Sequence, residues 1–459
     1  MLKALRLSEL LQPLNAQLCG TDVAFDAVSI DSRSVLPGQL FVALSGPKFD
    51  GHNYLAEVAS KGAVAALVER EVPGVQLPQL LVKDARKALG LLAGVNRQAY
   101  QGPLAAVTGS SGKTTVKELL ASILRVRGPV LATRGNLNNE LGAPLTLLEI
   151  SPEHRAAVIE LGASGLGEIA YTVSLTQPQV AIITNAGTAH VGEFGGPANI
   201  VLAKGEILEG LPASGTAILN LDDPAFAAWQ LRAKDRQVLS FALHNPCADF
   251  YAQELRVDAR GCPAFSLQCA AGSAPVQLNL LGQHNVSNAL AAAAAASALG
   301  LSLAEIVQGL QTLQPVKGRT VAQVLANGVR LIDDSYNANP ASINAATDLL
   351  SGFAGRRILV LGDMGELGAW AEQAHQQVGA YAQSKVDALY AVGPLMAHAV
   401  QAFGAGAQHF ADQASLLTAL AGEQGADTSL LIKGSRSAAM ENIVAALTAK
   451  ASNQIGESR

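Results

Sequence analysis

One short stretch constrains this chain more than any other: LAAVTGSSGKTTVKELLASIL, residues 104–124. LAAVT (104–108) is apolar and runs into a glycine, so it reads as a buried strand. From Val116 onward, VKELLASIL carries apolar residues at helical spacing. Between them Gly109, Ser110, Ser111, Gly112, Lys113, Thr114 and Thr115 form a glycine-rich turn. Such a turn points backbone N–H groups inward, and the helix N-terminus adds partial positive charge. Lys113 can then reach the outer phosphates of a nucleotide, and Thr114 can ligate magnesium. Thr108 to Thr115 are therefore the candidates to hold ATP or GTP. The usual P-loop pattern places its first glycine where Val107 stands, and here the glycine is Gly109. An ordinary glycine-rich connection is the plainer alternative. Strand, turn, Lys, two Thr and helix in order weigh against it.

The rest of the chain must say what receives the phosphate. At about 150 residues per domain, 459 residues suggest three domains. Charged residues make up 15% and hydrophobic ones 49%, which suits a core-rich α/β protein. A formal charge of −5 without Lys/Arg runs argues against a nucleic-acid partner. Cys19, Cys247, Cys262 and Cys269 have no zinc spacing and read as reduced thiols of a cytoplasmic protein. MLKALRLSELLQPL lacks a signal-peptide core, and no apolar run is long enough to span a bilayer. The alanine-rich stretch 289–300 is expected to pack closely against a sheet.

Three pieces follow. In 1–102, FVALSG (41–46), GAVAALVE (62–69) and QLLVKD (79–84) read as strands and 85–99 as a helix. In 103–314, AAVIEL (156–161), VAIIT (180–184) and GTAILNL (215–221) continue a parallel sheet with crossover helices, and 248–281 alternate as a small antiparallel insert. In 315–459, after a hinge in LQPVKGR (313–319), the strands VRLIDDS, RILVLGD, ALYAVG and SLLIKGS repeat the α/β rhythm.

Functional groups of open parallel sheets gather beyond the strand C-termini. Glu160 closes one strand there and is a natural magnesium ligand. Asn185 closes another, and His190 follows in the next loop. Lys204 lies on a later helix, where a solvated lysine is the plainer reading. RGNLNNELGAPLTLL (134–148) offers Asn136, Asn138 and Asn139 before a helix. A helix N-cap explains one of them but not three. DDSYNANPAS (333–342) brings Asp334, Asn337 and Asn339. IKGSRSAAME (432–441) puts Lys433, Ser435 and Arg436 at a strand end that opens a helix, an expected anion site.

Together TGSSGKTT, GNLNNELGAPLTLL, IELGAS, TNAGTAHVGEFG, AKGEI, GQHNVSNALAAAA, DDSYNANPAS, LGDMGELG and KGSRSAAME occur in the order seen in the Mur ligases of peptidoglycan synthesis. The chain resembles that family over nearly its whole length, and most of all the member that adds a D-alanyl-D-alanine dipeptide. SIDSR (29–33), PGQLFVALSG and DGHNY look like the family's nucleotide-sugar domain, which makes Ser32, Arg33, Ser45, Gly46, Asp50, Gly51 and His52 candidate substrate contacts.

The resemblance implies an α/β protein of three domains. The first, 1–102, holds the UDP end of the substrate. The second, 103–314, is the P-loop domain that holds ATP. The third, 315–459, is Rossmann-like and brings the amine. The implied reaction is ATP-dependent joining of D-alanyl-D-alanine to UDP-N-acetylmuramoyl-tripeptide through an acyl phosphate. Two magnesium ions are implied, on Thr114, Glu160, His190 and Lys204, with Lys204 a candidate for carbamylation. Asn285 and Asn288 would face adenine, Arg319 and Asp334 would reach ATP, and Lys433 and Arg436 would lie near the dipeptide. A monomer is expected. A sister ligase adding a diamino acid is the nearest rival, but the chain has no D-N-P-R segment of the kind those ligases use. Folylpolyglutamate synthase is expected to lack the first domain. A GTPase switch needs N-K-x-D, and the nearest string, Ser384-Lys385-Val386-Asp387, lacks the Asn.

Overall fold

The computed structural model describes residues 1–456 except Thr188, His190 and Gln424. Their strands form three main sheets, each drawn from its own stretch of chain.

The first sheet uses β1 (Gln17–Cys19), β2 (Ala27–Ser29), β3 (Gln39–Val42), β4 (Ala65–Val68) and β5 (Gln79–Leu81), in the order β1-β5-β4-β3-β2. FVALSG is not one strand: β3 stops at Val42, and Ser45–Gly46 turns into a small antiparallel pair with Phe49–Asp50. Helix α1 (Ala85–Ala99) follows, capped where Asp84 accepts from the Lys87 N–H at 3.0 Å.

The second sheet has nine strands: β6 (Leu104–Thr108), β7 (Val130–Ala132), β8 (Ala156–Glu160), β9 (Val180–Ile183), β10 (Thr216–Asn220), β11 (Gln237–Ala242), β12 (Phe250–Val257), β13 (Pro263–Cys269) and β14 (Gly272–Gln277). The order is β7-β8-β6-β9-β10-β11-β12-β13-β14. Residues 248–281 form the expected antiparallel meander, and it is continuous with the sheet: β12 pairs parallel with β11, and β13 and β14 extend the edge antiparallel. Strand β6 lies between β8 and β9, with Val107 opposite Glu160 and Thr108 opposite Ile183. That register sets the strand ends side by side above the P-loop. Helix α2 (Lys113–Leu124) begins three residues earlier than its apolar spacing suggests, because Gly112 at φ 81° turns the chain into it. Helix α3 (Gly142–Leu148) packs on β8, and α4 (Val191–Phe194) and α5 (Pro197–Gly205) follow β9 and pack on each other.

Side-chain alternation along β6 joins the layers. Leu104 and Ala106 belong to a core shared with the first sheet and α1. Ala105 and Val107 face the core beneath α6 (His284–Ala298). Ala289 to Ala296 are all buried in α6, and small side chains let it lie close to both α2 and the sheet.

The third sheet contains β15 (Val321–Val324), β16 (Arg330–Asp334), β17 (Arg356–Gly362), β18 (Ala388–Val392), β19 (Ala407–Phe410) and β20 (Thr428–Lys433), in the order β15-β16-β20-β17-β18-β19. Helix α7 (Pro340–Ser351) follows β16 and α8 (Glu441–Gly456) follows β20. Strands β1, β2, β7, β11, β15 and β19 escaped the sequence reading. No helix of the described residues is long and apolar enough to cross a membrane.

Candidate active site

The P-loop is held in shape from β9. Asn185 accepts from the Ser111 N–H at 3.0 Å and donates to the Ser111 carbonyl at 3.1 Å. Its own carbonyl accepts from Ser110 at 3.1 Å, and the Thr184 hydroxyl donates to Ser111 O at 2.6 Å. Ser110 Oγ donates to Gly187 O at 3.1 Å. Gly109 sits at φ 146°, where a Cβ would fall 1.9 Å from Thr184 Oγ1. A Cβ on Gly112 would fall 2.4 Å from Asn288 Oδ1. The two glycines are therefore fixed by left-handed backbone and close approach together. Thr108 is buried with its hydroxyl unpartnered among the described residues, and Thr115 is half-buried on α2.

Lys113 Nζ donates to the Gly109 carbonyl at 2.7 Å, inside the turn. Burial pushes its ammonium below the ordinary lysine range, and the charge of Glu160 opposes that. Thr114 Oγ1 is a junction. It donates to Glu160 Oε2 at 2.8 Å and accepts from Arg319 Nη2 at 2.9 Å. Asn138 Nδ2 donates to the other Glu160 oxygen at 2.9 Å. Glu160 is 2% exposed, so this is a nearly enclosed carboxylate among donors. Thr114 and Glu160 give adjacent hard oxygens at the P-loop, a donor set that fits magnesium.

His190 lies outside the described residues. Lys204 on α5 is 2% exposed, with Nζ 4.9 Å from the centre of the Phe194 ring. Desolvation, helped by the nearby charge of Lys113, lowers it to about 7. Protonated, Lys204 repels a cation, and as a neutral amine it offers one nitrogen where magnesium prefers oxygen, so as it stands it does not complete a metal set. Among the described residues no group of three or more His, Cys, Asp or Glu does so.

The asparagines divide their work. Asn138 orients Glu160, Asn139 accepts from the N–H of Gly142, the first residue of α3, at 2.9 Å, and Asn136 is exposed. Asn285 does not present its amide to a ligand: it donates to Leu281 O at 2.8 Å and accepts from Asn288 at 2.9 Å.

The third sheet reaches the P-loop directly. Asn339 caps α7 and donates to Ser111 Oγ at 3.1 Å. Arg319 stacks on Tyr336 at 4.2 Å while it holds Thr114, and Arg436 lies over the same ring at 5.8 Å. Tyr336, visible in DDSYNANPAS, was given no role by sequence. At 433–436, the expected anion site, the side chains pair within the protein. Lys433 is 3% exposed and spends its charge on Asp334 at 2.6 Å and on Asn337 O at 2.9 Å. Asp334 also accepts from Thr320 at 3.0 Å, so each of its oxygens already has a protein donor. Arg436 pairs with Glu441 at 2.9 Å, and Ser435 Oγ meets Ser437 Oγ at 3.0 Å. Only a short 3-10 turn follows, and α8 starts later, at Glu441. Asn337 accepts from its neighbour Ala338 at 2.8 Å.

In the first sheet Asp50 collects Ser45 Oγ at 3.0 Å, His52 Nδ1 at 2.7 Å and Arg70. Arg70 holds the Asp50 carboxyl well below the usual range. His52 also accepts from the Glu69 N–H at 3.0 Å and is 2% exposed, so both ring nitrogens serve the protein rather than a ligand. Gly46 packs on Phe49 and Gly51 on the Leu44 carbonyl. Arg33 pairs with Asp31 at 2.7 Å, and Ser32 O accepts from Lys61 at 2.7 Å. Beside this segment, a cavity of about 470 Å³ opens between Ser29, Asp31, Ser34 and Gln39 on one side and Arg134 and Leu145 on the other.

A P-loop with an enclosed carboxylate, flanked by two further α/β sheets, defines a nucleotide-dependent enzyme with several converging ligand surfaces. Comparison with known proteins gives the family. The descriptions "Mur ligase family, catalytic domain", "Mur ligase middle domain" and "Mur ligase, glutamate ligase domain" match residues 24–97, 107–296 and 318–436. The chain belongs to the Mur ligase family. It is 46% identical over 445 residues to the UDP-N-acetylmuramoyl-tripeptide–D-alanyl-D-alanine ligase of Escherichia coli K12, covering 96% of this chain and 98% of that one. A crystal structure of MurF from Acinetobacter baumannii superposes with TM-score 0.92 at 40% identity, covering 97% and 99% of the two chains. MurF from Thermotoga maritima in complex with ADP superposes with TM-score 0.84 at 27% identity, covering 93% and 98%.

Proposed function

We propose that this chain is an ATP-dependent ligase that joins D-alanyl-D-alanine to UDP-N-acetylmuramoyl-tripeptide, the last peptide addition to the peptidoglycan precursor. One observation carries the site assignment: the Lys113, Thr114, Glu160 and Arg319 cluster, drawn from the second sheet and the segment leading to the third. Two anions, the tripeptide carboxylate and the triphosphate, must approach there. Lys113 and Arg319 offset their repulsion, and the buried setting strengthens that effect. The carboxylate oxygen attacks the γ-phosphorus and ADP leaves. The dipeptide amine then attacks the acyl carbon and phosphate leaves. Thr114 and Glu160 would hold magnesium, which neutralises phosphate charge when bound.

The parts align with 1–102 on the UDP end, 103–314 on ATP and 315–459 on the dipeptide, a division supported by the three separate sheets. The cavity beside Ser29 and Arg134 is suited to part of the nucleotide sugar. Lys204 acts as a carbamate in this reading: adding carbon dioxide removes the positive charge and supplies two oxygens. Its burial beside Phe194 supports that by favouring the neutral amine, whose nitrogen attacks the carbon of carbon dioxide and then loses a proton. The reaction is placed in the cytoplasm with the chain as a monomer, which light scattering checks.

The test is phosphate release with ATP, the UDP-muramoyl tripeptide and D-alanyl-D-alanine, each omitted in turn. Release is expected only with all three. Full turnover without the nucleotide sugar would overturn the assignment. For the carbamate, Lys204→Ala is expected to lose most activity and regain part with formate or acetate. Full activity in Lys204→Ala would remove the role.

A further inference from the structure

We propose that Lys117 is a positioning residue for Glu160 and acts through Thr133; this rests on the reading of Glu160 as a magnesium ligand. Lys117 lies one turn beyond Lys113 on α2, the helix that packs on β7 and β8. Its side chain is 1% exposed. The ammonium donates to the Thr133 carbonyl at 2.6 Å and pairs with Glu118 at 2.9 Å. A buried ammonium is costly unless it is paired and hydrogen-bonded, and an aliphatic side chain would fill the same space. What Lys117 adds is a fixed peptide plane at Thr133.

Thr133 follows β7 and is 1% exposed. Its N–H donates to Val158 O at 3.1 Å, and its hydroxyl accepts from the Glu160 N–H at 2.9 Å. The carbonyl that Lys117 holds and the hydroxyl that meets Glu160 belong to one buried residue, so fixing its backbone places the hydroxyl. An unbroken path results. Lys117 sets Thr133, Thr133 sets the Glu160 backbone, and Thr114 and Asn138 set the Glu160 carboxylate. One helix thus contributes Lys113 and Thr114 directly and Lys117 at one remove. Partners that hold a metal ligand in place commonly change metal affinity by about 10–100-fold.

The test uses the full chain and calorimetric titration of ADP at graded Mg²⁺, with thermal melts beside it. Lys117→Met is expected to raise the Mg²⁺ needed for half-maximal ADP binding by about 10-fold or more. Affinity for the UDP-muramoyl tripeptide is expected to stay unchanged. Thr133→Val should do the same, Thr133→Ser should not, and the Lys117→Met/Thr133→Val pair should be no worse than either single change. An unchanged Mg²⁺ requirement in folded Lys117→Met, or additive losses in the pair, overturns the proposal. If Lys117→Met does not fold, the contrast between Thr133→Val and Thr133→Ser decides. Glu160→Gln separates the two layers. If it too leaves the Mg²⁺ requirement unchanged, the ligand reading itself falls. If it weakens Mg²⁺ while Lys117→Met does not, only the positioning role falls.

Discussion

Lys113 and Lys204 are both lysines whose burial lowers the proton affinity, yet they make different predictions. Lys113 lies inside the P-loop, so Lys113→Ala is expected to cut turnover by about 100-fold or more while circular dichroism stays native. Near-normal turnover would show that the phosphates sit elsewhere. Lys204 predicts a pH effect on stability. Its ordinary value is 10.5 and the folded value about 7. Between those values the unfolded chain carries a proton that the folded chain has lost, so stability rises with pH across the window. Lys204→Met removes the cost of burying the charge. It should stabilise most below pH 7, with the gain shrinking toward pH 10.5. Melting curves in carbon-dioxide-free buffers measure this, and a gain independent of pH would contradict the burial argument.

At the scale of elements, the turn between β6 and α2 is the most constrained. Gly112 at φ 81° lies against Asn288 of α6, so Gly112→Ala meets both a left-handed backbone and a side chain 2.4 Å away. A non-glycine residue in that region alone costs about 1–3 kcal/mol. Gly112→Ala should therefore lower the melting temperature and weaken ADP binding together. Loss of neither would mean that α6 gives way freely. Helix ends elsewhere are less consequential. Asp84→Ala, at the cap of α1, should cost about 1 kcal/mol and leave turnover unchanged, as denaturant unfolding and the phosphate assay can show together.

At the scale of the molecule, the third sheet touches the second through Asn339 and Ser111, Arg319 and Thr114, and the close approach of Gly192 to Leu367 and Gly368. A Cβ on Gly192 would lie 2.5 Å from the Gly368 nitrogen, with backbone on the other side. Backbone cannot step aside as a flexible side chain can. Gly192→Val should hold the third unit away from the P-loop, giving a larger radius of gyration in small-angle scattering with ATP and muramoyl peptide present. Turnover should fall with it while ADP binding survives. An unchanged radius would mean that 315–319 is no hinge.

Strand β6, the P-loop and α1 were legible in the sequence because their signals are local: an apolar run, glycine punctuation and helical spacing. The order of motifs along the chain was enough for the family. Strands β1, β7, β11 and β19 were not legible, since each pairs with a strand well removed in sequence, and β2 and β15 were missed as well, β15 although it makes a hairpin with β16. The candidate site shows the same division. Residue type told that Lys113, Thr114 and Glu160 suit phosphate and magnesium. It could not tell which asparagine points at Glu160, because Asn136, Asn138 and Asn139 differ only in where the loop turns them. Nor could it tell that Lys433 and Asp334 neutralise each other, 99 residues apart in sequence, once β16 and β20 lie side by side. Lys117 looked like any lysine on a helix. Only packing α2 against β7 buries it and gives its charge the Thr133 carbonyl to hold. The sequence determines which groups can carry charge and where the chain can turn. Which charges stay free for a ligand is decided by long-range pairing and burial, and only the tertiary structure sets those.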